Sequence, residues 1–178
     1  MDPLTIINQL APDFELLDLQ GRPHRLSERG GAITILNFWS ADCPWSERTD
    51  RLMAGWLEGW GRSIAIWRIA ANGNEPPEML VRVAAERSLD VVLHDPYAKV
   101  ADLYAAQTTP HVFVIDTQGI LRYQGAVDDV TFRQRTPTRY YLQEAVEALL
   151  AGRLPEPAEA PPYGCALLRG FFPPQDTG

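Results

Sequence analysis

Hydrophobic positions along the chain form two kinds of segment, and the order of these segments predicts the fold. Residues 32–38 are a nearly unbroken apolar and β-branched run, which is typical of a strand covered on both faces of a sheet. Residues 45–60 follow with apolar side chains at helical spacing, and residues 63–69 return as a second buried strand. This order predicts two parallel strands joined by a helix.

The remaining segments extend the pattern on both sides. A short hairpin is expected over residues 12–26, with its turn at Gln20-Gly21. After the second buried strand we predict a helix at 78–87, a strand at 91–93, a short helix at 99–104, a strand pair at 111–115 and 120–123, and a helix at 140–151. Because the late strand pair is a hairpin, the sequence predicts an α/β fold with a central mixed β-sheet flanked by helices on both faces.

The last part of the chain has a different composition. From Pro155 onward it holds six prolines and shows little hydrophobic periodicity. We therefore predict one domain over residues 1–153 and a proline-rich C-terminal tail over residues 154–178, which carries Cys165 and forms no second domain.

Charge and the N-terminus limit the classes of partner. The chain has 16 basic and 23 acidic residues, a formal charge of −7, and no concentrated basic stripe. Such a chain is a poor candidate for binding nucleic acid or an anionic membrane. Residues 1–8 lack the basic and apolar regions of a signal peptide, and no apolar run reaches the length of about 18 residues that a membrane span needs. The sequence therefore predicts a cytoplasmic protein that acts on small molecules or on other proteins.

Only two cysteines are present, Cys43 and Cys165. Two cysteines cannot form a disulfide-rich scaffold or, by themselves, a structural zinc site. The three histidines show no paired ligand spacing, so the sequence predicts neither a metal nor a cofactor.

Cys43 is the candidate nucleophile because of its position between two elements. It follows the first buried strand, so it should lie at the carboxyl edge of the sheet, where ligands bind in open α/β folds. Pro44 after it suits the first turn of a helix, and the positive end of that helix favours a thiolate. Asp42 before it is expected to cap the helix. The alternative is that Cys43 is a small buried hydrophobic side chain.

Two motifs then resemble a known family. Residues 38–46, which contain Trp39, Cys43 and Trp45, resemble the active-site segment of the thioredoxin family, and Thr109-Pro110 resembles its cis-proline loop. The pattern of residues 11–27 is similar to the redoxin branch, which includes the alkyl hydroperoxide reductase and thiol-specific antioxidant group. The resemblance implies a thioredoxin fold over about residues 10–150, with Pro110 facing the nucleophile. It also implies a substrate groove shaped by Thr109 and Pro110. Trp39, Pro44 and Trp45 are expected to line this groove because they neighbour Cys43; the alternative is that the tryptophans are core residues.

The sequence departs from this family at functionally important positions. Ser46 replaces the second cysteine of the motif, so Cys43 cannot form the usual vicinal disulfide, although Ser46 can still hydrogen-bond the Cys43 sulfur. Leu36 and Ser40 stand where a peroxiredoxin has proline and threonine. Cys165 is the remaining candidate for a resolving cysteine, provided that the tail folds back over the edge of the sheet; the alternative is an unpaired cysteine on a mobile tail.

These observations favour a thiol-based redox protein that uses Cys43 as nucleophile. It would be a thiol–disulfide oxidoreductase or a peroxiredoxin-like antioxidant, with a peroxide, a small disulfide or a protein disulfide as substrate and the thioredoxin or glutathione system as reductant. A non-enzymatic binding module, a redox sensor and a glutathione-dependent monothiol enzyme are the alternatives.

Overall fold

The computed structural model describes residues 5–170. The strands are β1 (Glu15–Asp18), β2 (Pro23–Arg25), β3 (Ile33–Trp39), β4 (Ile64–Ala70), β5 (Val92–His94), β6 (Thr108–Thr109), β7 (His111–Ile115), β8 (Leu121–Gly125), β9 (Glu159–Ala160) and β10 (Cys165–Ala166). The helices are α1 (Pro44–Trp60), α2 (Pro77–Glu86), α3 (Lys99–Leu103) and α4 (Tyr141–Leu150).

Eight strands form one sheet in the order β2-β1-β5-β4-β3-β7-β8-β9. β4 is parallel to both β3 and β5, whereas β7 is antiparallel to β3 and to β8. The predicted α/β fold with a central mixed sheet is therefore confirmed. In this arrangement β3 is an inner strand, and its carboxyl end leads directly into α1.

The core lies on both faces of the sheet because side chains alternate along β3. Ile33 and Ile35 pack with α1 and α4 on one face, through residues such as Met53 and Val146. Leu36 and Phe38 point to the opposite face, where they join a cluster that includes α3. The helix α2 packs against the end of β3 in a third cluster. All seven residues of β3 are buried, as its apolar composition predicts.

The C-terminal segment returns to the sheet. β9 pairs in parallel with β8, and β10 pairs antiparallel with β6, which adjoins the loop at Pro110. This places Cys165 at the carboxyl edge of β3. The division of the chain into residues 1–153 and 154–178 stays a prediction, and residues 1–4 and 171–178 lie outside the described part of the chain. Within the described part, no helix has both the length and the apolar character needed to span a membrane.

Candidate active site

Cys43 lies between β3 and α1 and occupies the N-cap position of the helix. Its carbonyl oxygen accepts the first helical hydrogen bond, from the Glu47 N–H at 3.0 Å, and Pro44 begins the helix. The prediction that Asp42 caps the helix is wrong, because Asp42 precedes the cap position and its side chain is exposed. The cysteine is therefore placed by a strand end and a helix start, where unpaired N–H groups favour negative charge.

The environment of Cys43 lowers the pKa of its thiol. Burial opposes this by raising the pKa, since the residue is only 2% exposed, but hydrogen-bond donors outweigh it. The Cys165 side chain is the strongest of these, followed by the backbone N–H of Ser46. Of the two thiols, Cys43 is thus the one whose surroundings favour ionisation.

Cys165 provides the second thiol near Cys43. Both cysteines are free, and Cys165 lies opposite Thr109 in the register of β10 and β6. Burial and the neighbouring Cys43 raise the pKa of Cys165 to about 12. Asp42 adds to this increase through its negative charge. The Cys165 thiol is therefore protonated when Cys43 is ionised, and it donates to the Cys43 sulfur.

The loop at Pro110 closes the site from the other side. The Thr109-Pro110 peptide bond is cis, as the resemblance implies. The carbonyl oxygen of Thr109 lies 3.2 Å from the Cys43 sulfur. Gly164 lies directly over this loop, and a Cβ atom on Gly164 would come within 2.3 Å of the Thr109 oxygen. Only glycine allows the tail to pass so close to the loop.

The two tryptophans of the motif occupy different environments. Trp45 is partly exposed and packs edge-on against Tyr163, with ring centroids 5.1 Å apart. Trp39 is fully buried, and its Nε1–H donates to Asp50 at 2.8 Å. The expectation that Trp39 contributes to the substrate groove is therefore wrong, because its ring packs in the core beside α2. Pro44 is exposed beside Trp45.

Ser46 contacts the site through its backbone. Its side chain is fully buried, and its Oγ accepts a hydrogen bond from the Ser40 N–H at 3.2 Å. The hydroxyl thus connects the two ends of the active-site loop, so the expectation that it hydrogen-bonds the Cys43 sulfur is wrong. The backbone N–H of Ser46 acts on that sulfur instead.

Glu75 is a buried residue of the site that sequence reasoning missed. Its carboxylate accepts hydrogen bonds from the Ser40 hydroxyl at 2.8 Å, from the Ala41 N–H, and from the Asn72 side chain at 2.6 Å. The amide oxygen of Asn72 in turn accepts from the Leu168 N–H at 2.8 Å. Glu75 therefore supports the loop before Cys43 and connects it, through Asn72, to the tail.

A second buried carboxylate, that of Asp50, lies beneath the active-site loop in the core. Asp50 on α1 pairs with Arg68 at 2.7 Å and with Arg87 at 3.1 Å, in addition to accepting from Trp39. Arg87 also donates to the Ala41 carbonyl oxygen at 3.0 Å. No sequence motif marked Asp50 or Glu75, because each is an isolated acidic residue and, apart from Asn72 beside Glu75, their partners are distant in the chain. Within residues 5–170, no group of three or more His, Cys, Asp or Glu side chains is arranged to hold a metal ion.

Comparisons with known proteins agree with the fold described above. The model of the AhpC/TSA family matches residues 7–124. The thiol-disulfide oxidoreductase ResA of Geobacillus thermodenitrificans is 33% identical over 116 residues, which cover 64% of this chain and 65% of that protein. The chain therefore spans slightly less than two thirds of the length of this relative.

Two crystal structures resemble the whole fold. A hypothetical protein from Sinorhizobium meliloti 1021 has 25% sequence identity and a TM-score of 0.79, covering 93% of this chain and 95% of that one. An uncharacterized conserved protein from Geobacillus kaustophilus has 25% identity and a TM-score of 0.80, covering 93% of each chain. Because 93% of the chain exceeds the 153 residues of the predicted domain, both matches extend into the tail.

Proposed function

The chain belongs to the AhpC/TSA family of thioredoxin-like redox proteins, and we propose that it is a thiol–disulfide oxidoreductase with Cys43 as nucleophile and Cys165 as resolving cysteine. The observation that carries the proposal is that both cysteines adjoin Thr109: the Cys43 sulfur lies 3.2 Å from the Thr109 carbonyl oxygen, and Cys165 pairs with Thr109 in the register of β10 and β6. The pKa of Cys43 is lowered and that of Cys165 is raised, so the pair holds one nucleophilic thiolate and one proton donor. The ResA relative is named a thiol-disulfide oxidoreductase, which supports the same chemistry.

The reaction follows from these two protonation states. The Cys43 thiolate attacks a substrate disulfide, so that a Cys43–substrate bond forms and the other substrate sulfur leaves as a thiolate. Cys43 is then neutral, and the negative charge that raised the pKa of Cys165 is gone. Cys165 gives its proton to the substrate thiolate that has just left and attacks the Cys43 sulfur, which expels the second substrate thiolate. The substrate disulfide gains two electrons, and an external dithiol later reduces the Cys43–Cys165 disulfide.

The surroundings of Ser40 favour a disulfide over a hydroperoxide as the substrate. A peroxiredoxin uses a threonine hydroxyl at this position, and Ser40 is the residue that could replace it. The Ser40 hydroxyl donates to Glu75 at 2.8 Å and is buried, so it is not available to a bound peroxide. Leu36, at the other position of that signature, is fully buried in the core.

Peptide mass spectrometry tests the proposal. The reduced protein is treated with one equivalent of bis(2-hydroxyethyl) disulfide, quenched in acid and alkylated. We expect a Cys43–Cys165 disulfide in the native protein and a stable mixed disulfide on Cys43 in Cys165→Ser. The Cys43→Ser variant should form no intramolecular disulfide and should keep the circular dichroism spectrum of the native protein. An unreactive Cys43 in the folded protein would contradict the proposal and favour the binding module.

A further inference from the structure

The nucleophile is covered by the chain itself. Residues 161–169, which we call the strap, cross the site directly above Cys43, and Cys43 is 2% exposed. Tyr163 packs on Trp45, Gly164 lies on the Pro110 loop, and Cys165 pairs with Thr109. The strap therefore uses the backbone edge of Thr108 and Thr109, along which an extended peptide could otherwise pair as an added strand.

The strap is fixed to the domain at both of its ends. Before it, β9 pairs with β8 in the main sheet. After Cys165, the side chain of Leu167 is buried in the core cluster below the sheet, and its N–H donates to the Gln107 carbonyl at 3.1 Å. Arg169 then pairs with Asp102 at 2.6 Å and donates to the Ala106 carbonyl. A large substrate reaches Cys43 only if these contacts are released.

We propose that the strap is a size filter that makes this site specific for low-molecular-weight disulfides and excludes disulfides of folded proteins. The inference rests on the proposed function of Cys43 and names the substrate class of that site. A small disulfide needs an opening a few ångströms wide, which requires only that Gly164 and its neighbours separate from the Pro110 loop while both ends of the strap stay fixed. A folded protein must displace the whole strap, and its backbone competes with β10 for the same hydrogen-bonding edge. Leu167 and Arg169, which hold the strap closed, are thus specificity-determining residues.

The test compares the rates at which two oxidants consume the Cys43 thiol. The probes are bis(2-hydroxyethyl) disulfide and insulin, and each rate is divided by the rate of the same probe with free cysteine at the same pH. The native protein should react with the small disulfide at least about 100 times faster than with insulin on this scale. Taking the ratio cancels any general change in the nucleophilicity of Cys43.

Matched leucine variants locate the effect in the strap. Leu167→Ala removes a buried side chain and should raise the normalised insulin rate at least about tenfold relative to the small disulfide, because the strap opens more often. Leu168→Ala changes the neighbouring residue, whose side chain is 44% exposed, and should leave the ratio at the native value. If Leu167→Ala does not fold, Arg169→Ala tests the same closure of the strap and should shift the ratio in the same direction. Arg153 is exposed, so Arg153→Ala is the control and should leave the ratio at the native value.

The outcomes separate the filter from the proposed function. Equal normalised rates for the two probes in the native protein, or an unchanged ratio in both Leu167→Ala and Arg169→Ala, would overturn the filter and leave the oxidoreductase intact. Failure of the small disulfide to oxidise Cys43 in the native protein and in every folded variant would instead overturn the oxidoreductase itself, and with it the filter.

Discussion

At the scale of single residues, the chemistry depends on where one proton lies between two sulfur atoms. The Cys165 thiol donates to Cys43, so the pKa of Cys43 falls while that of Cys165 rises to about 12. A second source of this asymmetry is the backbone N–H of Ser46, which any residue at that position would supply. Of these two donors, the side chain of Cys165 is therefore the one whose effect on the pKa of Cys43 a substitution can remove.

Replacing Cys165 should change the pKa of Cys43 in a direction set by hydrogen bonding. In Cys165→Ala the side-chain donor is lost, so we expect the pKa of Cys43 to rise relative to the native protein, and the thiolate fraction at neutral pH to fall. In Cys165→Ser the hydroxyl can still donate, and the pKa should lie between the two. The pH dependence of iodoacetamide alkylation at the Cys43 peptide measures this. The same pKa for Cys43 in both variants would contradict a role for the side-chain donor.

At the scale of the elements, long periodic segments were predicted and short or tertiary ones were not. The strand β3 and the helix α1 follow from residues 32–38 and 45–60, because burial on both faces and an amphipathic period leave direct marks in a sequence. The two-residue strands β6, β9 and β10 were missed, since only pairing with a distant partner makes them strands.

The same distinction, between features local in the sequence and features that depend on distant partners, applies to the site residues. The position of Cys43 was predicted because strand, cysteine, proline and helix are adjacent in the chain. Glu75 and Asp50 could not be predicted, because most of their partners come from loops and strands far away in sequence. Trp39 was assigned to the groove because it neighbours the cysteine, but the inward orientation of the last residue of β3 buries its ring.

Two glycines should respond in opposite directions to the same substitution. Gly55 lies in α1 with no atom within 4 Å of a Cβ placed on it, so Gly55→Ala should stabilise the protein by about 0.5–1 kcal/mol through helix propensity. Gly73 donates to the Leu168 carbonyl, and a Cβ on it would come within 1.5 Å of the Gly170 oxygen. Gly73→Ala should therefore lower the free energy of unfolding by about 1–3 kcal/mol, because the added methyl group pushes the chain at residue 170 away.

Urea denaturation of the reduced protein measures both changes. The Gly55→Ala variant also serves as the control for Gly73→Ala, because each adds one methyl group to a glycine. A stabilising effect of Gly73→Ala would contradict the close approach of residue 170 to this turn.

At the scale of the whole molecule, the fold brings together two cysteines that are 122 positions apart. The sheet places Cys43 at the end of an inner strand, and the pairing of β9 with β8 carries the chain back to the same edge. The sequence left open whether the tail reaches this edge, because a proline-rich segment has no periodicity from which its path can be derived. The path is instead fixed by scattered contacts, among them those of Leu167 and Arg169.

Oxidation of this pair should therefore stabilise the folded protein. A Cys43–Cys165 disulfide closes a loop of about 120 residues, and in the chain-entropy view such a loop lowers the entropy of the unfolded state enough to add up to about 5 kcal/mol to the free energy of unfolding. Because both cysteines already adjoin Thr109 in the reduced protein, the bond should form with little movement of the strap. We expect the urea midpoint of the oxidised protein to exceed that of the reduced protein by an amount equivalent to about 2–5 kcal/mol.

The Cys165→Ser variant, treated with the same oxidant, should show no such increase. An oxidised protein with an unchanged or lower midpoint would contradict this prediction and would mean that the two sulfurs bond only by displacing the strap.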